Sequence, residues 1–182
     1  MAGPDIAVVR NEVDDDYEYH CDALASYLPE AREVDFPAGE RLEPGDVDGV
    51  VLSGSTAGVY EADDRPWIRD QERLVRELVE REIPTLGVCF GHQVANRALG
   101  GTVRHEGMVA RLVAVTFPPD PLFEGVAPVV AATHGDVVTE PGDGMAVIAS
   151  TDYYRAFGTR HRPLLRGREH ATRLRELPVA RR

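Results

Sequence analysis

The chain has 182 residues, enough for one domain with a full core, and its two cysteines, Cys21 and Cys89, lie far apart and form no CxxC pair. Its 31 acidic side chains outnumber 20 basic ones, all of them Arg, and a net charge of -11 argues against nucleic acid or anionic lipid as a partner unless a local basic patch compensates. With no basic leader ahead of an apolar stretch, and no apolar run near the roughly 18 residues that cross a bilayer, the expectation is a soluble, cytoplasmic protein in a reducing compartment.

Ile6-Ala7-Val8-Val9 is short and apolar, the pattern of a buried parallel strand. From about residue 18 to 28, Cys21, Leu24, Ala25 and Leu28 mark a helical face that Pro29 closes. A weaker strand is expected over 32–36, and residues 48–54 read as a second buried strand running into a loop of small residues. Asp63 and Asp64 are candidate caps for a helix reaching about residue 82, with Pro66 near its first turn. Trp67, Leu74, Val75, Leu78 and Val79 form its apolar face, and the pairs Glu72/Arg76 and Glu77/Arg81 fall at i,i+4 on the solvent side, so this helix should lie on a sheet. Residues 83–88 read as a third buried strand and 90–99 as a helix ending at Gly100-Gly101. The alternation predicts an α/β fold with a doubly wound, mostly parallel sheet. Beyond it, Val103 and the segments 110–115, 129–133 and 145–150 are short strand candidates between Pro and Gly turns, a small antiparallel addition.

The run Gly87-Val88-Cys89-Phe90-Gly91-His92-Gln93 sets Gly-x-Cys-x-Gly where a strand should meet a helix, the setting of a nucleophile elbow. A side chain on so tight a turn sits at a strained backbone position, and Gly87 and Gly91 keep neighbouring Cβ atoms away from it. The N–H groups at the start of the helix favour the thiolate and can stabilise an oxyanion. An isolated cysteine at a strand end is more often a small buried hydrophobe. The two glycines and the strand-to-helix setting favour the nucleophile.

This run resembles the Gly-[Val/Ile]-Cys-x-Gly-x-Gln signature of class I, or triad-type, glutamine amidotransferases. The resemblance implies a flavodoxin-like sheet with Cys89 at the carboxyl end of a central strand. It also implies that Cys89 attacks the side-chain amide of glutamine, forms a γ-glutamyl thioester and releases ammonia. By the same resemblance the Phe90 backbone N–H belongs to the oxyanion hole, Gln93 contacts the substrate, and His92 is not the base. The loop Ser53-Gly54-Ser55-Thr56-Ala57-Gly58-Val59-Tyr60 resembles the Ser-Gly-Gly-Pro-x-Ser-Val-Tyr loop of GMP synthetase glutaminase domains. That likeness implies a second oxyanion-hole donor at Ser55 and a substrate contact at Gly54, with Ser55-Thr56 in place of the family's Gly-Pro. Thr133-His134-Gly135-Asp136-Val137-Val138 resembles the Ser-His-Gly-Asp-x-Val segment, which implies that Gly135 and Asp136 hold the α-substituents of glutamine. The likeness spans roughly residues 5–155. It implies no metal and no cofactor.

The family's C-terminal aromatic-His-Pro-Glu segment, source of the catalytic base and its orienting carboxylate, has no counterpart: none of the six His is followed two residues later by Glu. His170 falls near the family position, but Thr172 stands where the Glu should be. Over residues 155–182 there are nine Arg and only two acidic side chains, a switch from the acidic remainder. The expectation is therefore an amidotransferase domain over 1–155 and an atypical Arg-rich tail over 156–182. That tail is either a basic arm docking on the acidic body or a partner, or a non-native terminus such as a reading-frame change in a GC-rich gene would produce. Glutaminase activity is then expected to be weak or absent. An acidic chain without Lys is also similar to proteins from high-salt organisms, where counterions screen self-repulsion. No Gly-x-x-x-x-Gly-Lys loop is present, so ATP-driven amination is expected on a separate synthetase subunit. Two alternatives stay open: a stand-alone hydrolase of γ-glutamyl compounds, and an impaired or non-enzymatic homologue.

Overall fold

Ala7, Val8 and Val9 have no exposed surface, which a strand achieves only in the middle of a sheet covered on both faces. In the computed structural model, which describes residues 3–161, they belong to β1 (Ile6–Arg10). β1 pairs in parallel with β2 (Arg32–Asp35) on one side and β3 (Gly49–Leu52) on the other, and β3 pairs in parallel with β4 (Thr85–Gly87). The order β2-β1-β3-β4 is that of an open α/β sheet, with Val8 beside Val51 and Val51 beside Leu86. This is the parallel sheet read from the sequence, with one correction: β4, expected to be buried and central, is the edge strand among the described residues, and its Leu86 is exposed because no strand or helix covers it there.

The helices are α1 (Tyr19–Ala25), α2 (Trp67–Glu80) and α3 (Phe90–Ala98). α2 buries Trp67, Ile68, Leu74, Val75 and Leu78 on one stripe, the 3.6-residue pattern expected of it. It starts after Pro66 rather than at Asp63 or Asp64, and the Asp63 carboxylate takes an ion pair with Arg69 instead of capping the helix. α1 stops at Ala25, short of the expected 28, because the amides of Tyr27 and Leu28 donate to the carbonyls three residues back and tighten the last turn.

The described residues up to Val94 form one compact unit, and those from Ala95 form a second. The second is built on two antiparallel pairs, β5 (Thr102–Ala114) with β6 (Val129–Glu140) and β7 (Met145–Ala149) with β8 (Gly158–His161). Its core has two apolar clusters, one around Val113, Val115, Ala132 and Ala149, the other around Val137, Val138, Tyr154 and Ala156. β5 and β6 are twice as long as the short candidates in the sequence, and β8 has no apolar alternation that could announce it. Polar contacts fix β8: Asn96 Nδ2 donates to Thr159 Oγ1 at 2.9 Å, and Arg160 makes two hydrogen bonds to Asp120 at 2.7 and 2.9 Å. β8 falls within the expected tail segment, of which residues 162–182, His170 and Thr172 included, lie outside the described residues. Among the described residues no helix is long and apolar enough to cross a membrane.

Candidate active site

β4 ends at Gly87, α3 begins at Phe90, and between them Cys89 is held at φ +52, in the left-handed region that a residue with a Cβ rarely enters. The thiol is exposed. Both flanking glycines are required by close approach: a Cβ on Gly87 would lie 2.5 Å from the Gly91 carbonyl group, and one on Gly91 would lie 2.4 Å from the Leu52 carbonyl oxygen. Gly91 N–H donates to the carbonyls of Val88 and Ser53, at 2.9 and 3.0 Å, so the first turn of α3 is tied to the end of β3. Phe90, fully buried, packs its ring against Trp67 at 5.4 Å between centroids and anchors the backbone carrying the expected oxyanion donor. Gln93 is also buried, one turn into α3, and its N–H donates to the Cys89 carbonyl at 3.0 Å.

The loop after β3 is fixed by a buried polar network. Ser53 N–H donates to the Val9 carbonyl, Asn11 N–H donates to Ser53 Oγ and Asn11 Nδ2 to the Ser53 carbonyl, each at 3.0 Å, and Gln71 Nε2 donates to Asn11 Oδ1. Asn11, Ser53 and Gln71 have no exposed surface; the fold supplies partners to Asn11, Ser53 and the Gln71 amide nitrogen, while Gln71 Oε1 is left without one. Gly54 follows, buried, with the point where its Cβ would stand 3.6 Å from Cys89 Cβ. Ser55 does not need a positive φ, and its Oγ accepts from Ala57 N–H at 3.0 Å. Cys89, Phe90, Gln93, Gly54 and Ser55 thus belong to the first unit, with the loop after β3 against the elbow.

Gly135 and Asp136 lie in the second unit, on β6. Opposite them β5 slips register between His105 and Val109, with Gly107 at φ +98, and this irregularity turns His105 onto them. His105 Nδ1 pairs with Asp136 Oδ1 at 2.8 Å, and a Cβ on Gly135 would meet the His105 ring at 2.8 Å. His134 Nδ1 donates to the Asp136 carbonyl at 3.1 Å, so its Nε2 accepts from the Tyr153 hydroxyl at 2.9 Å. Burial pushes the His134 imidazole below its ordinary range, against the opposing pull of Asp136. It is a neutral ring held in a hydrogen-bonded chain.

The family model for class I glutamine amidotransferases matches residues 19–166. The chain belongs to this family. Glutamine-hydrolysing GMP synthases are among its relatives: that of Pyrobaculum aerophilum is 36% identical over 110 residues, covering 59% of this chain and 20% of that protein. That of Thermotoga maritima is 34% identical over 123 residues, covering 66% of this chain and 23% of that protein. The chain therefore spans about a fifth of the length of the curated relatives it matches. A glutamine amidotransferase of Thermotoga maritima has the same fold, with a TM-score of 0.74 at 22% identity over 88% of this chain and 73% of that one. A candidate GMP synthase subunit from Thermoplasma acidophilum superimposes with a TM-score of 0.66 at 19% identity over 88% of this chain and 79% of that one. The four-stranded parallel sheet with small antiparallel sheets is the class I amidotransferase fold, and the chain resembles a GMP synthase glutaminase domain.

Two residues packed against the loop after β3 carried no motif signal in the sequence. Glu12, just past the end of β1, has a side chain with no exposed surface, and His20 Nε2 lies 2.6 Å from its Oε2. The Glu12 carboxylate also accepts from the amides of Val13 (2.8 Å), Asp14 (3.1 Å) and Thr56 (3.0 Å), and from Thr56 Oγ1. Burial pushes this carboxyl up, but the bonds from Thr56, His20 and the amides outweigh burial and hold it below its ordinary range. Arg10, which pairs with Glu18, Asp22 and Glu33, pins the start of α1 that carries His20. The one available signal was position: Glu12 follows a buried strand, where α/β sheets place their sites. His92 was expected not to be the base, and burial pushes its imidazole down to about 4.

Proposed function

We propose that this domain is a glutaminase: Cys89 attacks the side-chain amide carbon of glutamine, and the ammonia released passes to a separate ATP-dependent synthetase subunit, in a GMP-synthase-like pair. The observation that carries the reading is the left-handed φ of Cys89 between β4 and α3, which projects the thiol from a turn with helix N–H groups beside it. Attack forms a C–S bond and an oxyanion; collapse expels ammonia and leaves a γ-glutamyl thioester, which water cleaves to glutamate and the thiol. Phe90 and Ser55 supply the oxyanion donors, Gln93 and Gly54 contact the glutamine side, and Gly135 and Asp136 hold its α-substituents. The domain that carries these residues is proposed to span 1–155.

The test is glutamate formation from glutamine, by the chain on its own and with a candidate synthetase partner. A glutamine-analogue electrophile should label Cys89 and glutamine should protect it. Absence of both labelling and turnover, with the partner present, sinks the proposal in favour of a non-catalytic homologue. Turnover of γ-glutamyl peptides but not of glutamine would assign a hydrolase instead.

A further inference from the structure

We propose that His20, oriented by Glu12, is the proton acceptor and donor for the Cys89 thiol. The inference rests on the glutaminase reading only for the identity of the substrate; the nearness of the imidazole and Cys89 to one another at Gly54 stands on geometry.

The point at which a Gly54 Cβ would stand is 3.5 Å from His20 Cε1, 3.7 Å from His20 Nδ1 and 3.6 Å from Cys89 Cβ. The imidazole and the Cys89 Cβ thus both lie within 3.7 Å of one point beside Gly54 that no side chain occupies. The backbone of Gly54 lies in an ordinary φ region, so its lack of a side chain there is a matter of space and not of conformation. His20 keeps about a third of its side chain exposed, at 31%, and Cys89 is exposed too.

The orientation of the ring follows from its partners. An ionised Glu12 can only accept, so His20 Nε2 carries the proton it donates across 2.6 Å, and in the neutral ring it is Nδ1 that has the lone pair. Nδ1 is the nitrogen on the Gly54 side. Cys21 Sγ lies 3.6 Å from Nδ1, but its S–H donates to Ser53 Oγ at 3.3 Å, so the lone pair of Nδ1 is not consumed there. The groups facing His20 are therefore Glu12, Cys21, Cys89 and the edge-on ring of Tyr19. Glu12 is the one anion among them. A carboxylate that fixes the tautomer and steadies the imidazolium is the arrangement by which a histidine activates a nucleophile in triad enzymes.

In the reaction the proton of the Cys89 thiol moves to His20 Nδ1 as sulfur attacks the amide carbon. The imidazolium, held by Glu12, returns that proton to the leaving nitrogen, which departs as ammonia. Water then gives a proton to Nδ1 as its oxygen adds to the thioester, and the expelled thiolate takes that proton back. Glu12 is a positioning residue throughout. Its carboxylate holds the loop at Thr56 as well as the ring.

The test reads thiol ionisation without any substrate. Alkylation of Cys89 by iodoacetamide is followed from pH 5 to 10 by peptide mass spectrometry, in the full chain and in the His20→Ala and Glu12→Gln variants. The parent is expected to react well below the ordinary thiol range of about 8.5, and His20→Ala to move the profile up toward it, with the rate at pH 6.5 falling at least about tenfold. Glu12→Gln keeps the shape of the carboxylate and should shift the profile in the same direction by less. A Cys89 profile in folded His20→Ala that superimposes on the parent overturns the inference, even if the parent hydrolyses glutamine. A His20-dependent profile in a parent that does not hydrolyse glutamine upholds this inference and counts against the glutaminase reading alone.

Discussion

Replacing Cys89 by Gly and by Ala separates the backbone of the elbow from its chemistry. Both changes remove the sulfur and should abolish glutamine turnover, and because the side chain is exposed neither loses appreciable packing. They differ at φ +52. A residue with a Cβ costs about 1–2 kcal/mol in the left-handed region, and Gly gives back about 0.5–1 kcal/mol through the greater freedom of its unfolded chain. The Gly variant should therefore be the more stable by about 1 kcal/mol, which for a chain of this size corresponds to about 2–4 °C in Tm. Urea unfolding of both at equal m-value measures the difference. Ser26, exposed at φ -60 at the end of α1, supplies the control: there Gly should be less stable than Ala by about 1 kcal/mol. Equal stability of the two Cys89 variants, or a more stable Ala, would refute the strained elbow.

Three further perturbations test the surrounding frame. Gly91→Ala forces a Cβ against the Leu52 backbone oxygen, which cannot move without the sheet, so the urea midpoint should fall by the equivalent of about 1–3 kcal/mol. Tyr154→Phe strips the buried amide of Val138 of the hydroxyl that accepts from it at 2.8 Å, at a cost of about 1–3 kcal/mol, read in the same experiment. His92 titrates near 4 in the folded chain but near its ordinary 6.5 when unfolded, so between these values only the unfolded chain takes up the proton. Stability should therefore fall as pH drops from about 6.5 to 4, by no more than about 3 kcal/mol. Partial exposure of the ring lowers that ceiling, and His92→Gln should flatten the slope between these pH values.

The parallel half of the fold was legible because its signals are local. Ile6 to Val9 are apolar on consecutive positions, as only a doubly covered strand requires, and the stripe from Trp67 to Leu78 repeats with the helix period. β8 was not legible. Gly158, Thr159, Arg160 and His161 carry no pattern of their own, and their pairing depends on β7, on Asn96 and on Asp120, the last 40 residues away from its arginine. The lengths of β5 and β6 were hidden for a related reason, since most of their side chains are exposed or half-buried and show no sustained alternation.

The site divides along the same line. Gly87 and Gly91 declare the elbow because the atoms they avoid belong to neighbours in sequence or to the adjoining strand. Glu12 and His20 declare nothing, since eight residues separate them and neither stands in a motif. Topology supplies what spacing could not. With β1, β3 and β4 adjacent and parallel, the residues just past their carboxyl ends must converge, and these are Asn11-Glu12, Ser53-Gly54 and Cys89. Taken together, those three positions place an acid beside the nucleophile before any contact is known. The histidine that Glu12 holds depends further on where α1 begins, and that is set by the ion pairs of Arg10 with Glu18 and Asp22 rather than by any periodicity around His20.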